Sequence, residues 1–196
     1  MRCFVGLPLP ESYQQGLEEI AGTWKDRLAS RISWTRKGNW HLTLAFLGEL
    51  ADDSVQLARQ CLQSVSMESF PLKAEGGGFF PPGKSPRVIW VGVGQGRDAC
   101  IRLADKIEQA LDPVGYTGDK RPFHPHLTIG RVKQGRPDAW RALLKALQER
   151  DWPAFEAGSF VLWSSQLTPQ GPSYSVIEEF GLSARPGSDE ASAQLE

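Results

Sequence analysis

The sequence predicts a mixed α/β (α+β) fold with an approximate internal repeat, and three observations carry that reading. Segments with strand-like alternation interleave with segments whose apolar residues recur at helical spacing. Two stretches, His41-Leu42-Thr43-Leu44 and His126-Leu127-Thr128-Ile129, repeat one pattern in the two parts of the chain. The 196 residues, with 22 Lys+Arg against 23 Asp+Glu and seven Trp, fit one compact domain able to bury a substantial core.

Residues 2–7 read as a short buried strand, stopped by Pro8 and Pro10. Tyr13, Leu17, Ile20, Trp24 and Leu28 then mark one face of an amphipathic helix. Residues 40–47 switch to alternation, ended by Gly48, and a second helix follows. Its expected N-cap is Asp52 or Asp53, with Val55, Ala58, Leu62 and Val65 inward. Residues 70–74 and 87–93 read as strands flanking Gly76-Gly77-Gly78 and a turn-rich run from Pro81 to Pro86. The glycines lack phosphate-loop spacing and suit a bulge or hairpin end. Cys100, Ala104, Ile107 and Leu111 mark a third helix, residues 123–131 a strand, and Trp140, Leu143, Leu144 and Leu147 a fourth helix. Residues 159–167 and 174–182 form a hairpin around Pro169-Gln170-Gly171-Pro172. From Ala184 onward the chain is small and polar, so residues 1–183 are expected to fold as a single domain and 184–196 to form a disordered tail.

Balanced charge argues against a general duplex-DNA binder, which needs a broad basic surface, but allows a nucleic-acid terminus held by a few residues. Cys3, Cys61 and Cys100 are widely spaced, without C-x-x-C, and read as free thiols in a reducing compartment. No secretory-type leader pattern and no segment of membrane-spanning length is present, so the expectation is a cytoplasmic monomer with no membrane partner.

In a strand, residues i and i+2 share a face. His41 and Thr43 therefore point one way, with Trp40, Leu42, Leu44 and Phe46 behind them in the core; His126 and Thr128 likewise sit above Leu127 and Ile129. A lone His-x-Thr is ordinarily a half-exposed surface pair, but two copies in a chain with three histidines point to one shared cleft. Two imidazoles that titrate near neutrality suit a phosphoryl transfer in which one group deprotonates water and the other protonates a leaving alkoxide. Two hydroxyls can donate to the non-bridging oxygens, where charge grows. The alternative is a metal site built from His41, His124 and His126. Pro125 restricts that arrangement, no carboxylate stands at ligand spacing, and the threonines would have no role in it, so no metal and no cofactor is expected.

The segments Asn39-Trp40-His41-Leu42-Thr43-Leu44-Ala45-Phe46-Leu47-Gly48-Glu49 and Arg121-Pro122-Phe123-His124-Pro125-His126-Leu127-Thr128-Ile129-Gly130-Arg131 resemble the two signatures of the two-histidine phosphoesterases. More narrowly, they resemble the RNA 2′,3′-cyclic phosphodiesterases, historically called 2′-5′ RNA ligases. The opening strand and Pro86-Arg87-Val88-Ile89-Trp90-Val91-Gly92 share that likeness, which runs from residue 2 to about residue 182. The resemblance implies a bilobal pseudo-two-fold fold, with antiparallel-rich sheets lining a central cleft, helices outside and one H-x-T-x motif per lobe. It implies metal-independent hydrolysis of RNA 2′,3′-cyclic phosphate termini to 2′-phosphates, with RNA 3′ ends or small cyclic nucleotides as substrates. It assigns His41 as proton donor to the leaving O3′ and His126 as proton acceptor from water, with Thr43 and Thr128 binding the phosphate. Arg131 is a candidate phosphate contact by charge, yet strict alternation faces it away from His126 unless a bulge at Gly130 re-aims it; a surface arginine fits as well. His124 reads as a solvent-exposed strand residue. The same cleft would also serve another cyclic or 2′,5′-linked nucleotide, or a nucleotide-binding module without turnover.

Overall fold

The protein is described by a computed structural model covering residues 1–83, 85–118, 121–169 and 171–185. Its elements run β1 (Arg2–Pro8), α1 (Glu11–Lys25), β2 (Arg31–Trp34), β3 (His41–Glu49), α2 (Asp52–Gln63), β4 (Phe70–Leu72), β5 (Ala74–Phe80) and β6 (Val88–Val93). They continue α3 (Arg97–Ala110), a short 3₁₀ turn, β7 (His126–Gln134), α4 (Trp140–Glu149), β8 (Phe155–Ala157), β9 (Ser159–Thr168) and β10 (Gly171–Gly181). The expected tail falls mostly on residues 186–196, which lie outside the described residues.

Pro10 opens α1 because its fixed φ (−65°) and missing N–H suit a helix start, and its carbonyl accepts from the Tyr13 and Gln14 amides. The predicted stripe is the buried one, and Leu28 packs on the core just past the helix end. The α2 cap differs from expectation. Ala51 occupies it without a side-chain bond, and Asp52 and Asp53 stand inside the first turn, where their charge opposes the helix dipole's positive end favourably. The glycine run lies within β5, with a register jump between Ala74 and Gly77. Two of its members are there for close approach. A Cβ on Gly77 would come within 2.8 Å of Leu147 on α4, and one on Gly78 within 2.5 Å of the Trp90 ring. The short strands β2 and β8 were not anticipated.

Eight strands form one sheet in the order β10-β9-β1-β3-β7-β6-β5, with β2 also on β7, and β4 and β8 form a separate pair. Every ladder is antiparallel. The repeat is exchanged rather than side by side. β5, which follows α2, pairs with β6 of the second part, while β9, which follows α4, pairs with β1 of the first. The two strand groups meet at β3 and β7 through the pair Leu42–Leu127. Both leucines are fully buried, each contributing about 1.5–3 kcal/mol of apolar burial. The helices supply Leu17, Leu62, Leu103 and Leu143 to the core on that face, leaving the opposite face of the sheet for polar groups.

Of the register jumps in β3 and β7, two stand at matching places. In β3, Leu44 and Ala45 together oppose Val5, because the register passes from Gly6–Thr43 to Val5–Ala45. In β7, Ile129 and Gly130 together oppose Ile89, because it passes from Trp90–Thr128 to Ile89–Gly130. Each bulge spends two residues on the core side and reverses the parity beyond it. The core placement expected for Phe46 is therefore corrected: it is half exposed, at 50%, on the His41 face. Arg131 is re-aimed in the same way. β3 also runs through Gly48, which adopts φ +73°, instead of stopping there.

Candidate active site

Antiparallel pairing at Leu42–Leu127 sets His41 across from Thr128, and Thr43 across from His126, on the face opposite the leucines. The two imidazoles are thus diagonal neighbours on adjacent strands, roughly 7–8 Å apart on a regular ladder. All four residues are half-buried.

Each imidazole is fixed by the same local device. His41 Nδ1 lies 2.9 Å from the Asn39 carbonyl oxygen and His126 Nδ1 lies 2.7 Å from that of His124. A carbonyl only accepts, so Nδ1 carries the proton and donates, and Nε2 is the titrating nitrogen in both rings. Asn39 is itself held, its side-chain amide donating to the Pro172 carbonyl on β10 at 2.8 Å. Among the described residues no protein group bonds the Thr43 or Thr128 hydroxyl through its side chain, which leaves both free to donate to a ligand; the Thr128 carbonyl accepts from Thr35 Oγ1 at 3.0 Å.

The walls are aromatic. His41 stacks on Phe4 with ring centres 4.5 Å apart, and Trp163 and the edge-on Tyr174 complete its surround. Phe46 lies parallel to Phe4, with the Arg2 guanidinium 4.9 Å over its ring. His126 meets the edges of Phe80 and Trp90. Burial pushes the His41 pKa from 6.5 down to about 4, the Arg131 charge acts the same way, and the bond to Asn39 opposes both. His126 is lowered by burial first, then by His124 and Arg131, against the bond to the His124 carbonyl. Tyr174 is pushed up by burial, and the Arg131 and Arg2 charges oppose that. Arg131 thus projects its field onto both imidazoles and the phenol. Among the described residues it has no carboxylate partner.

His124 departs from expectation. It precedes β7, is half-buried, and its ring is wedged 5.0 Å from Trp90 and 5.8 Å from Phe80, with Nε2 enclosed and unpartnered. Its carbonyl, not its ring, positions His126. Among the described residues no three His, Cys, Asp or Glu side chains converge as a ligand set. The three cysteines are free, Cys3 and Cys100 buried and Cys61 half-buried. No described helix is long and apolar enough to cross a membrane. Sequence reading missed Phe4, Trp163 and Tyr174, which reach His41 from β1, β9 and β10 without any motif to mark them.

One sheet that offers two His-x-Thr strands to a common face defines the two-histidine class of phosphoesterases. The sequence model of the 2′-5′ RNA ligase superfamily matches residues 10–168. An RNA 2′,3′-cyclic phosphodiesterase from Thermotoga maritima is 34% identical over 91% of this chain and 94% of its own, and one from Aeropyrum pernix is 37% identical over 72% and 81%. Among solved structures, a Thermus thermophilus protein superposes with a TM-score of 0.77 at 25% identity, covering 94% of this chain and all of the other. Apo LigT of E. coli superposes at 0.71 and 21% identity over 93% of this chain and 97% of its own, a likeness of fold. This chain belongs to the 2′-5′ RNA ligase superfamily.

Proposed function

We propose that this chain is an RNA 2′,3′-cyclic phosphodiesterase that opens terminal cyclic phosphates to 2′-phosphates by histidine acid–base catalysis. One observation carries the reading: two imidazoles, each anchored through Nδ1 to the carbonyl two residues back, present Nε2 diagonally on one face of a sheet. That arrangement suits in-line displacement at a phosphorus held between them. His126 Nε2 takes a proton from water as the water oxygen bonds to phosphorus; the P–O3′ bond breaks, and His41 Nε2–H protonates the departing O3′. The donor and acceptor roles follow the family pattern. Thr43, Thr128 and Arg131 hold the non-bridging oxygens. In the free protein burial keeps both imidazoles neutral near pH 7. The phosphodiester anion favours the imidazolium beside it, so substrate supplies the bias that lets His41 carry a proton.

Relatives at 34% and 37% identity that are themselves RNA 2′,3′-cyclic phosphodiesterases support the substrate class. The chain is proposed to act as a monomer in the cytoplasm, where three unpaired thiols persist. The test is to incubate chelator-treated protein with a dinucleotide ending in a 2′,3′-cyclic phosphate and resolve the products. Turnover to the 2′-phosphate with a bell-shaped pH profile is expected. Turnover abolished by chelator and restored by zinc, or a 3′-phosphate product, overturns the mechanism.

A further inference from the structure

An open groove of about 1110 Å³ lies apart from the histidine cleft, where the C-terminal end of β7 meets the loop before β6 and the first turn of α4. We infer that it holds backbone phosphates of the RNA nucleotides upstream of the processed end, so that the protein reads an oligonucleotide and not only its last residue. This inference rests on the function proposed above.

The groove is lined by Arg87, Lys133 and Arg136, all exposed. Among the described residues none of the three forms an ion pair. Its one acidic lining residue, Asp138, is already committed: its two oxygens accept from the Ala29 and Ser30 amides at 2.6 and 2.8 Å. Three cations against one engaged carboxylate leave the lining positive. Trp140 adds an apolar wall. It lines the groove as the first residue of α4, is 9% exposed, and packs its ring against Phe79. Three exposed cations without ion-pair partners among the described residues form a surface rich in donors, which suits phosphate oxygens. The groove's size and openness suit a length of strand more than a single ion.

Its position relative to the cleft supplies the direction. Lys133 follows Arg131 by two residues on β7, at a second register jump between Val132 and Gln134, so the two cations lie within roughly 6.8 Å of each other along the strand. Arg87 lies directly alongside, its carbonyl accepting from the Val132 amide at 2.9 Å. A line of cations therefore leads from the reacting phosphate, through Arg131 and Lys133, to Arg87 and Arg136. Single-stranded RNA is commonly tracked by such basic grooves.

The test compares the full-length protein with an R87E/K133E/R136E variant on two substrates: a 2′,3′-cyclic mononucleotide and a short oligoribonucleotide ending in the same group. For the oligonucleotide, KM is expected to rise about 10-fold or more with kcat unchanged, and the mononucleotide constants to stay put. The slope of log(kcat/KM) against log[salt] for the oligonucleotide should flatten by about 2, from three lost phosphate contacts at ~0.7 each. Unchanged oligonucleotide KM and slope, in a protein that turns over both substrates, overturns the groove assignment. If the unaltered protein turns over neither substrate, the proposed function fails. Fluorescence anisotropy of a labelled linear oligonucleotide then decides the groove alone: binding lost in the variant sustains it, and equal binding refutes it.

Discussion

Replacing His41 with asparagine should remove a pH-dependent part of the protein's stability whose size follows from the ring's surroundings. In the unfolded chain the imidazole protonates below 6.5, whereas in the folded protein burial against Phe4 and Trp163, with Arg131 nearby, delays protonation to about 4. The folded-state pKa is depressed, so the stabilisation is fully present above 6.5 and is lost as pH falls toward 4. In that window the unfolded state binds the extra proton. At about 1.36 kcal/mol per pH unit, the full loss is about 3 kcal/mol, of which about 2 kcal/mol has gone by pH 5. His126 is depressed in the same sense, but it is present in both proteins and cancels in the comparison. The assay is urea unfolding followed by circular dichroism for wild type and His41→Asn at several pH values from neutral to 5. The wild-type advantage should shrink by about 2 kcal/mol across that range. Saturating inorganic phosphate should blunt the effect, since an anion beside the ring restores its basicity. Parallel stability curves for the two proteins would refute the claim that His41 is held neutral by its burial.

Three other outcomes are expected. His41→Ala and His126→Ala should each lower kcat at least about 10²-fold on a 2′,3′-cyclic dinucleotide, while Thr43→Ala or Thr128→Ala lowers it about 10-fold; steady-state kinetics with chelator present decides, and a variant retaining full kcat removes that residue from the mechanism. Arg131→Gln should raise KM about 10-fold and move the acidic limb of the kcat/KM profile to higher pH, because the guanidinium lowers both histidines; a limb that moves down or stays refutes its placement beside them. Gly6→Ala places a Cβ 2.5 Å from the Leu42 carbonyl oxygen, backbone that has no rotamer escape. β3 must shift, so stability should fall by about 1–3 kcal/mol and kcat should drop along with it, measured by thermal melting and turnover; unchanged kcat would mean that the His41 strand tolerates displacement.

The proposed catalytic pair was legible because period-2 alternation is a short-range rule, and it holds over the three residues of each His-x-Thr. It fails over six. Phe46 and Arg131 each stand five positions beyond their histidine, and the intervening bulges, at Leu44–Ala45 and Ile129–Gly130, turn both onto the cleft face. A bulge depends on how the partner strand is seated; Gly130 marks a candidate position in β7, whereas no residue of β3 announces its own. The same holds for Trp163 and Tyr174. They belong to a hairpin that was foreseen as a hairpin, but its seat beside β1 is a choice of topology, set by burial of the whole sheet face. His124 was misread because its ring was counted as part of the strand, whereas the strand begins at His126. Helices fared best, since fifteen residues of α1 and fourteen of α3 give the 3.6 period room to show.

The interchange of β5 and β9 has a consequence for how the molecule comes apart. A polypeptide cut between β5 and β6 would yield two pieces, each deprived of a ladder neighbour that only its counterpart owns. Each piece is expected to be incomplete by itself and to recover its shape only by mutual completion, as in split reporters. Because the proposed chemistry draws one histidine from each, the return of turnover on mixing would register that reunion directly.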